Sequence, residues 1–334
     1  MIDLALMLPP YPCEKWQLAK QLGVTRAVCK LAPSLTHMQP PYEFDSLLYF
    51  KSRFKDAGIE LIGLEGDQFD MSRIKLGMPG RDEDIERYCR MVENMGRLGI
   101  RLLCYNFMAV FGWLRTSTAS PGRGGALCTK FEYPCIAEAP LTEMGIVGED
   151  RLWANLEYFL KAVLPAAEKH GVQMALHPDD PPVSPIRGVS RIITSLAAYK
   201  RVFSMVPSSH SGATFCQATF SLMEDVQDVG TAAAELIGMN KVFFIHARNT
   251  VGDRFGFQET FPDEGSIEYP KLFRVYHEAG FNGPIRSDHA PAMEGEKDFD
   301  PSKGAMSSGY ETKGMLYDVG YIKGVLRGIG VPYR

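Results

Sequence analysis

Short apolar runs alternate along this chain with longer stretches in which apolar residues recur three and four positions apart. The runs at 2–7, 26–31, 60–64, 101–105, 173–176, 202–206, 242–245 and 284–286 read as β-strands. Helical periodicity predicts helices near 14–22, 43–57, 82–98, 151–169, 188–200, 221–238, 269–279 and 313–327. ERYCRMVENMGRLGI, for example, sets Tyr88, Met91, Val92 and Met95 along one face, and LWANLEYFLKAVLPAAEKHG repeats the pattern until Gly171 stops it. Eight strands, each followed by a helix, is the count of a (β/α)8 TIM barrel, with residues 1–334 as a single domain. A doubly wound open sheet is the structural alternative. It usually carries fewer strands and an early phosphate-binding fingerprint, and neither G-x-G-x-x-G nor a Walker A sequence occurs here. Residues 107–150, rich in Gly, Pro, Ser and Thr, form a long insertion after the fourth strand. In a barrel that position lies on the face where active sites form, so a lid-like role is expected.

Composition narrows the class without changing the fold. The 334 residues are 45% hydrophobic, enough for one large core, and carry a formal net charge of −4 with acidic and basic residues interspersed. No basic block points to nucleic acid or an anionic membrane, and no apolar run approaches the roughly 18 residues of a membrane span. MIDLALMLPPYPCEK lacks a positive lead and a small-residue cleavage site, so it reads as a first strand rather than a signal peptide. Seven scattered cysteines suit reduced thiols in a cytoplasmic protein better than a disulfide framework.

The chemistry of such a barrel lies just past the C-terminal ends of its strands. The fifth strand ends in His177, and the stretch after the predicted sixth carries Cys216. The seventh ends in His246 and the eighth in Asp288, with His289 beside it. Taken singly, each has a plainer reading: a hydrogen-bonded core histidine, a small buried thiol, or an aspartate capping a helix or pairing with Arg286. Taken together on consecutive strands, they are a ligand set for a divalent transition metal, Mn, Fe, Co or Zn. His170 and His277 fall late in helices, where cations suit the dipole, and are left structural. His37 and His210 sit in loops, His210 close enough in sequence to Cys216 to reach the rim. Behind His177 the segment HPDDPP is held rigid by three prolines. Asp179 and Asp180 there read either as partners of the ligand histidines and of a sugar hydroxyl, or as turn-forming Asx residues. Trp113 reads as a ring for stacking on a sugar face or as a lid anchor.

These segments carry a resemblance. HPDDPP after a strand, RIKLGMPGRDEDIERY, GIRLLCYNFMAVFGWLRT, HARN, SDH and the GY of SSGYETKGMLYDVGYIKGVL together resemble the D-mannonate dehydratase family over about residues 59–328. The resemblance implies an xylose-isomerase-like TIM barrel and a hydro-lyase taking D-mannonate, or a close aldonate, to 2-keto-3-deoxy-D-gluconate. It implies a metal, Mn2+ first and Fe2+, Co2+ or Zn2+ next, on His177, Cys216, His246 and Asp288. It matches His289 and Tyr310 to the acid–base pair, and Asn106 and Arg248 to substrate-contacting positions. Arg248 would grip the carboxylate, since a guanidinium pairs bidentately with one. A homo-oligomer, dimer or tetramer, is also implied.

The chain departs from the family pattern at strand one, where DLALMLPPYP replaces an Arg-Trp-Phe/Tyr-Gly segment. It departs again around the cysteine (CQATFS) and after the aspartate (RSDHAPAMEGE). Ligands and the acid–base pair survive, so the chemistry is better supported than the identity of the sugar acid. A metal-dependent isomerase or epimerase on the same barrel is the alternative, and a sugar-acid binding protein without turnover is a third reading. Retention of both His289 and Tyr310 argues against the third, and a single thiolate-containing site argues against a xylose-isomerase-like reaction.

Overall fold

Eight parallel strands close into a ring because their residues are buried on both faces, as a barrel wall requires. The structure, a computed structural model, describes residues 1–296 and 308–334, so Ser307 of the SSGY motif lies outside it. The strands are β1 (Asp3–Met7), β2 (Arg26–Cys29), β3 (Glu60–Glu65), β4 (Leu102–Tyr105), β5 (Ser117–Pro121), β6 (Leu127–Glu132), β7 (Gln173–Leu176), β8 (Ser211–Cys216), β9 (Val242–Ala247), β10 (Asn249–Asp253), β11 (Gly256–Thr260) and β12 (Pro284–Ser287). The barrel runs β1-β12-β9-β8-β7-β4-β3-β2, and β10-β11-β6-β5 form a separate antiparallel sheet. The main hydrophobic cluster joins strands to helices, as where Leu152, Leu156, Phe159, Leu160 and Val163 line the inner face of helix Glu149–His170. That helix ends at Gly171, whose φ of +65° is the left-handed C-cap its position predicts. A second cluster joins Met7, Val28, Leu102, Cys104, Ala175 and Phe244 from five strands, which meet only along the barrel axis.

Seven of the eight expected strands stand where the apolar runs put them. The sixth does not. Residues 202–205 belong to helix Leu196–Met205, which is capped at Ser195, where the side chain accepts from Ala198 N at 3.0 Å, rather than starting at residue 188. The sixth barrel strand is β8, SGATFC, with all six residues buried. Its polar Ser211 and Thr214 and its glycine disguised it. A Cβ at Gly212 would come within 2.5 Å of the Phe243 ring, so the glycine lets β8 lie against β9. The helix expected at 221–238 also starts later, at Val229, after a short helix Gln217–Ser221; it is capped by Asp228, which accepts from Thr231 N at 2.7 Å.

The insertion after β4 does contain strands. β5 and β6 pair with the hairpin β10–β11, with Phe131 opposite Phe257. These two phenylalanines pack on Val183 and Leu222, which anchors the sheet over the loop behind β7. Among the described residues, no helix is long and apolar enough to cross a membrane.

Candidate functional site

The strand-end rule brings its four predicted ligands together. Cys216 is the last residue of β8 rather than a loop residue, and in register it lies opposite His246 of β9. Donor atoms of His177, Cys216 and His246 lie mutually within 4.8 Å. Asp288 stands beside them, its Oδ2 3.7 Å from His246 Nδ1 and 4.0 Å from Cys216 Sγ.

The donor set fits a divalent metal. His177 Nδ1 donates to the Pro178 carbonyl at 2.7 Å, which fixes the tautomer and leaves Nε2 with a lone pair. Burial holds its imidazole below the ordinary pKa, so the ring is neutral at pH 7. The buried His246 Nε2 has no hydrogen-bond partner among the described residues and lies 3.5 Å from Glu65 Oε1. His246 Nδ1 faces Asp288 and also lies 3.4 Å from Arg286 Nη2. Burial alone would raise the Cys216 thiol, but the Arg248 guanidinium beside it, 3.3 Å from Sγ, holds it below the usual range and favours a thiolate ligand. Burial likewise opposes ionisation of Asp288, and Arg286 at 2.9 Å outweighs it.

The acid–base candidates sit next to this cluster. The rings of His289 and Tyr310 meet edge to face with centroids 4.8 Å apart. Tyr310 donates to Asp288 Oδ1 at 2.8 Å and accepts from Arg286 at 3.1 Å. Burial pushes its hydroxyl well above the usual range, so it is held protonated. His289 Nδ1 lies 3.0 Å from Glu259 Oε1, and Trp113 covers the ring from the other side at 4.7 Å.

His177, His246, Asp288 and the His289–Tyr310 pair open into a cavity of about 350 Å³, large enough for a small sugar acid, with Cys216 buried outside its lining. Asn106, Trp113, Asp180, His177, His246, Asp288, His289 and Tyr310 line it. Asn106 is fixed there by Lys75, which donates to its Oδ1 at 2.8 Å.

Two expectations need correction. Arg248 does not line the cavity. It is fully buried, with its guanidinium committed to Asp180, Glu259, Thr219 and Cys216, so it positions other groups instead of reaching a substrate carboxylate. Asp179 faces away from the cavity, exchanging bonds with the backbone of Ile193 at 2.9 and 3.0 Å. It is a loop-fixing residue. Asp180 does reach the cavity wall, but its carboxylate pairs bidentately with Arg115 at 2.7 and 3.0 Å and also with Arg248. His210 precedes β8 and so lies at the opposite end of the barrel from the rim.

Sequence reasoning missed Glu65, Arg115 and Glu259; the Arg286–Asp288 pair, the plainer reading of Asp288, is present at 2.9 Å. Glu65 ends β3 and pairs with Arg286, which brings its carboxyl down to about 2 against the cost of burial. The strand-end rule, carried back to the third strand, would have found Glu65. Glu259 lies in β11 of the small antiparallel sheet and Arg115 just before its β5, and the pairing that joins them leaves no local signal.

A model of the D-mannonate dehydratase family matches residues 17–145 and 139–332. A mannonate dehydratase of Streptococcus pneumoniae is 32% identical over 289 residues, covering 79% of this chain and 78% of that protein. One from Streptococcus agalactiae is 37% identical over 274 residues, covering 74% and 77%. The crystal structure of mannonate dehydratase from Streptococcus suis superposes with a TM-score of 0.86 at 28% identity, covering all of this chain and 97% of that one. A D-psicose 3-epimerase of Clostridium cellulolyticum shares the barrel alone, with a TM-score of 0.59 at 13% identity.

Proposed function

The chain belongs to the D-mannonate dehydratase family, and from that membership we infer a hydro-lyase that takes D-mannonate to 2-keto-3-deoxy-D-gluconate and water. We propose that His177, Cys216, His246 and Asp288 hold a divalent metal, Mn2+ first, with Fe2+, Co2+ or Zn2+ as the other fits to an imidazole, thiolate and carboxylate set. Such a metal supplies Lewis acidity at the carboxylate end of the sugar acid, where the C2 proton must be made acidic.

The chain's own groups do the proton work. Glu259 accepts from His289 Nδ1, which leaves Nε2 as the base that takes the C2 proton. Tyr310, held protonated by burial and by Asp288, gives its proton to the departing C3 hydroxyl. One proton leaves C2 and one hydroxyl leaves C3, so water balances the reaction. Trp113 closes the cavity over His289, and Asn106 offers an amide to a substrate hydroxyl.

The observation that carries this reading is the adjacency of the metal-type cluster, whose His177 and His246 line the cavity, and the His289–Tyr310 pair. The test is to incubate the purified protein, loaded with Mn2+, with D-mannonate, D-gluconate, D-altronate and D-fructuronate and to assay 2-keto-3-deoxy acid. Product from D-mannonate is expected. Failure with every aldonate alongside interconversion of a keto sugar would replace the dehydratase by an isomerase.

A further inference from the structure

We propose that Lys30 binds the end of the sugar acid remote from the reacting carbons, and that its charge lets the pocket accept a second carboxylate there. The inference deepens the dehydratase reading and rests on it. Lys30 follows β2 directly, so it stands at the cavity rim, where it lines the wall with its stem running beside Gly66. In the ring of strands β2 lies four places from β8 in either direction, so Lys30 is across the axis from Cys216. The ligand-type residues and the acid–base pair all come from β7, β8, β9, β12 and the segment behind β12. A substrate whose C1 to C3 lie among them extends its other end toward β2.

The charges on the wall single out Lys30. Arg286 is committed to Glu65 and Asp288, and Asp180 is matched by Arg115 and Arg248. Asp67 is matched by Lys75 at 2.7 Å. Among the described residues the Lys30 ammonium has no hydrogen-bond or ion-pair partner. A half-buried cation left over after these pairings is a donor for an oxygen of the ligand, and it favours an anionic oxygen over a neutral one. Strand one, its neighbour in the ring, brings only Met7 to the wall. The substrate class is therefore six-carbon sugar acids, with hexarates accepted alongside hexonates.

The test compares wild type with Lys30→Met, which keeps the aliphatic stem, on D-mannonate and on D-mannarate, the corresponding hexarate. Steady-state kinetics are paired with calorimetric titration of each acid into the Mn2+-loaded protein. Wild type is expected to bind D-mannarate at least as tightly as D-mannonate. In Lys30→Met the KM and Kd for D-mannarate rise roughly 10-fold or more, the size of one lost charge-assisted hydrogen bond, with a smaller rise for D-mannonate and kcat within a few-fold. Unchanged KM and Kd for both acids would overturn the proposal, as would a fall in kcat at constant KM. If wild type dehydrates neither acid, the dehydratase reading fails. The titrations then still decide on Lys30: a hexarate affinity lost in Lys30→Met upholds it, and equal affinities reject it.

Discussion

Glu259 Oε1 lies 3.0 Å from His289 Nδ1, and the two residues belong to different layers, strand β11 of the small antiparallel sheet and the segment behind barrel strand β12. The same oxygen takes hydrogen bonds from Arg248 and, at 2.5 Å, from Arg115. Glu259→Gln should therefore disturb the imidazole more than the binding of substrate. We expect kcat to fall on the order of 10²-fold with KM nearly constant, measured by steady-state kinetics. A rise in KM alone would assign Glu259 to substrate binding and not to the base.

Cys216→Ala should lower the bound metal sharply, read as metal per chain after purification and dialysis. Asp288 and two imidazoles remain, but the thiolate that Arg248 favours is gone. Full metal stoichiometry in the variant would show that the ligand set is wrong.

Tyr310→Phe removes the acid and, with it, one hydrogen bond to Asp288 Oδ1, but none of the four ligand atoms. Metal content should stay at the wild-type level while turnover falls roughly 10²- to 10⁴-fold. Exchange of the C2 proton with deuterated solvent, followed by NMR, should persist, because His289 still takes that proton. Wild-type turnover would take Tyr310 out of the reaction.

Acid should expose the buried ion network. Burial raises the Glu259 carboxyl, yet His289, Arg115 and Arg248 together hold it below its ordinary 4.5. A carboxyl lowered in the folded state contributes stability in full above the pH at which the unfolded chain titrates, and loses it as pH falls toward the folded value. Glu259→Gln should thus cost roughly 3–5 kcal/mol near pH 7, the size of a broken buried pair, and progressively less below about pH 4.5. Urea unfolding at pH 7 and pH 3 measures both. A gap that is constant with pH would contradict this.

Asp179→Ala should leave catalysis largely intact in the folded protein and cost stability. It strips the buried Ile193 N–H of its acceptor, about 1–3 kcal/mol. Loss of kcat at unchanged stability would return Asp179 to the substrate site.

Most of the barrel and half of the site were legible because they follow local rules. Strand-end positions gave His177, His246 and Asp288 by spacing alone, while the roles of His289 and Tyr310 came from the family resemblance. Cys216 was found by its chemistry although its strand was misplaced, since SGATFC is polar in sequence and becomes a strand through packing on β7 and β9. What stayed hidden depends on long-range pairing. Nothing near Arg248 says that Asp180 and Glu259 will saturate it, and a bidentate arginine at a rim looks the same whether its partner is a substrate or the protein. Asp179 and Asp180 are sequence neighbours with opposite orientations, which only the placement of Ile193 and Arg115 decides.

The shared sheet of β5–β6 and β10–β11 bears on how such enzymes can be recombined. Its halves lie more than a hundred residues apart, and each supplies one partner of the Arg115–Glu259 pair. A chimera with a crossover between residues 133 and 248 would take each half from a different parent. Such a hybrid would mismatch the sheet and misdirect His289 at once, even with every barrel strand native. Exchanging this sheet between relatives therefore requires both segments to travel together.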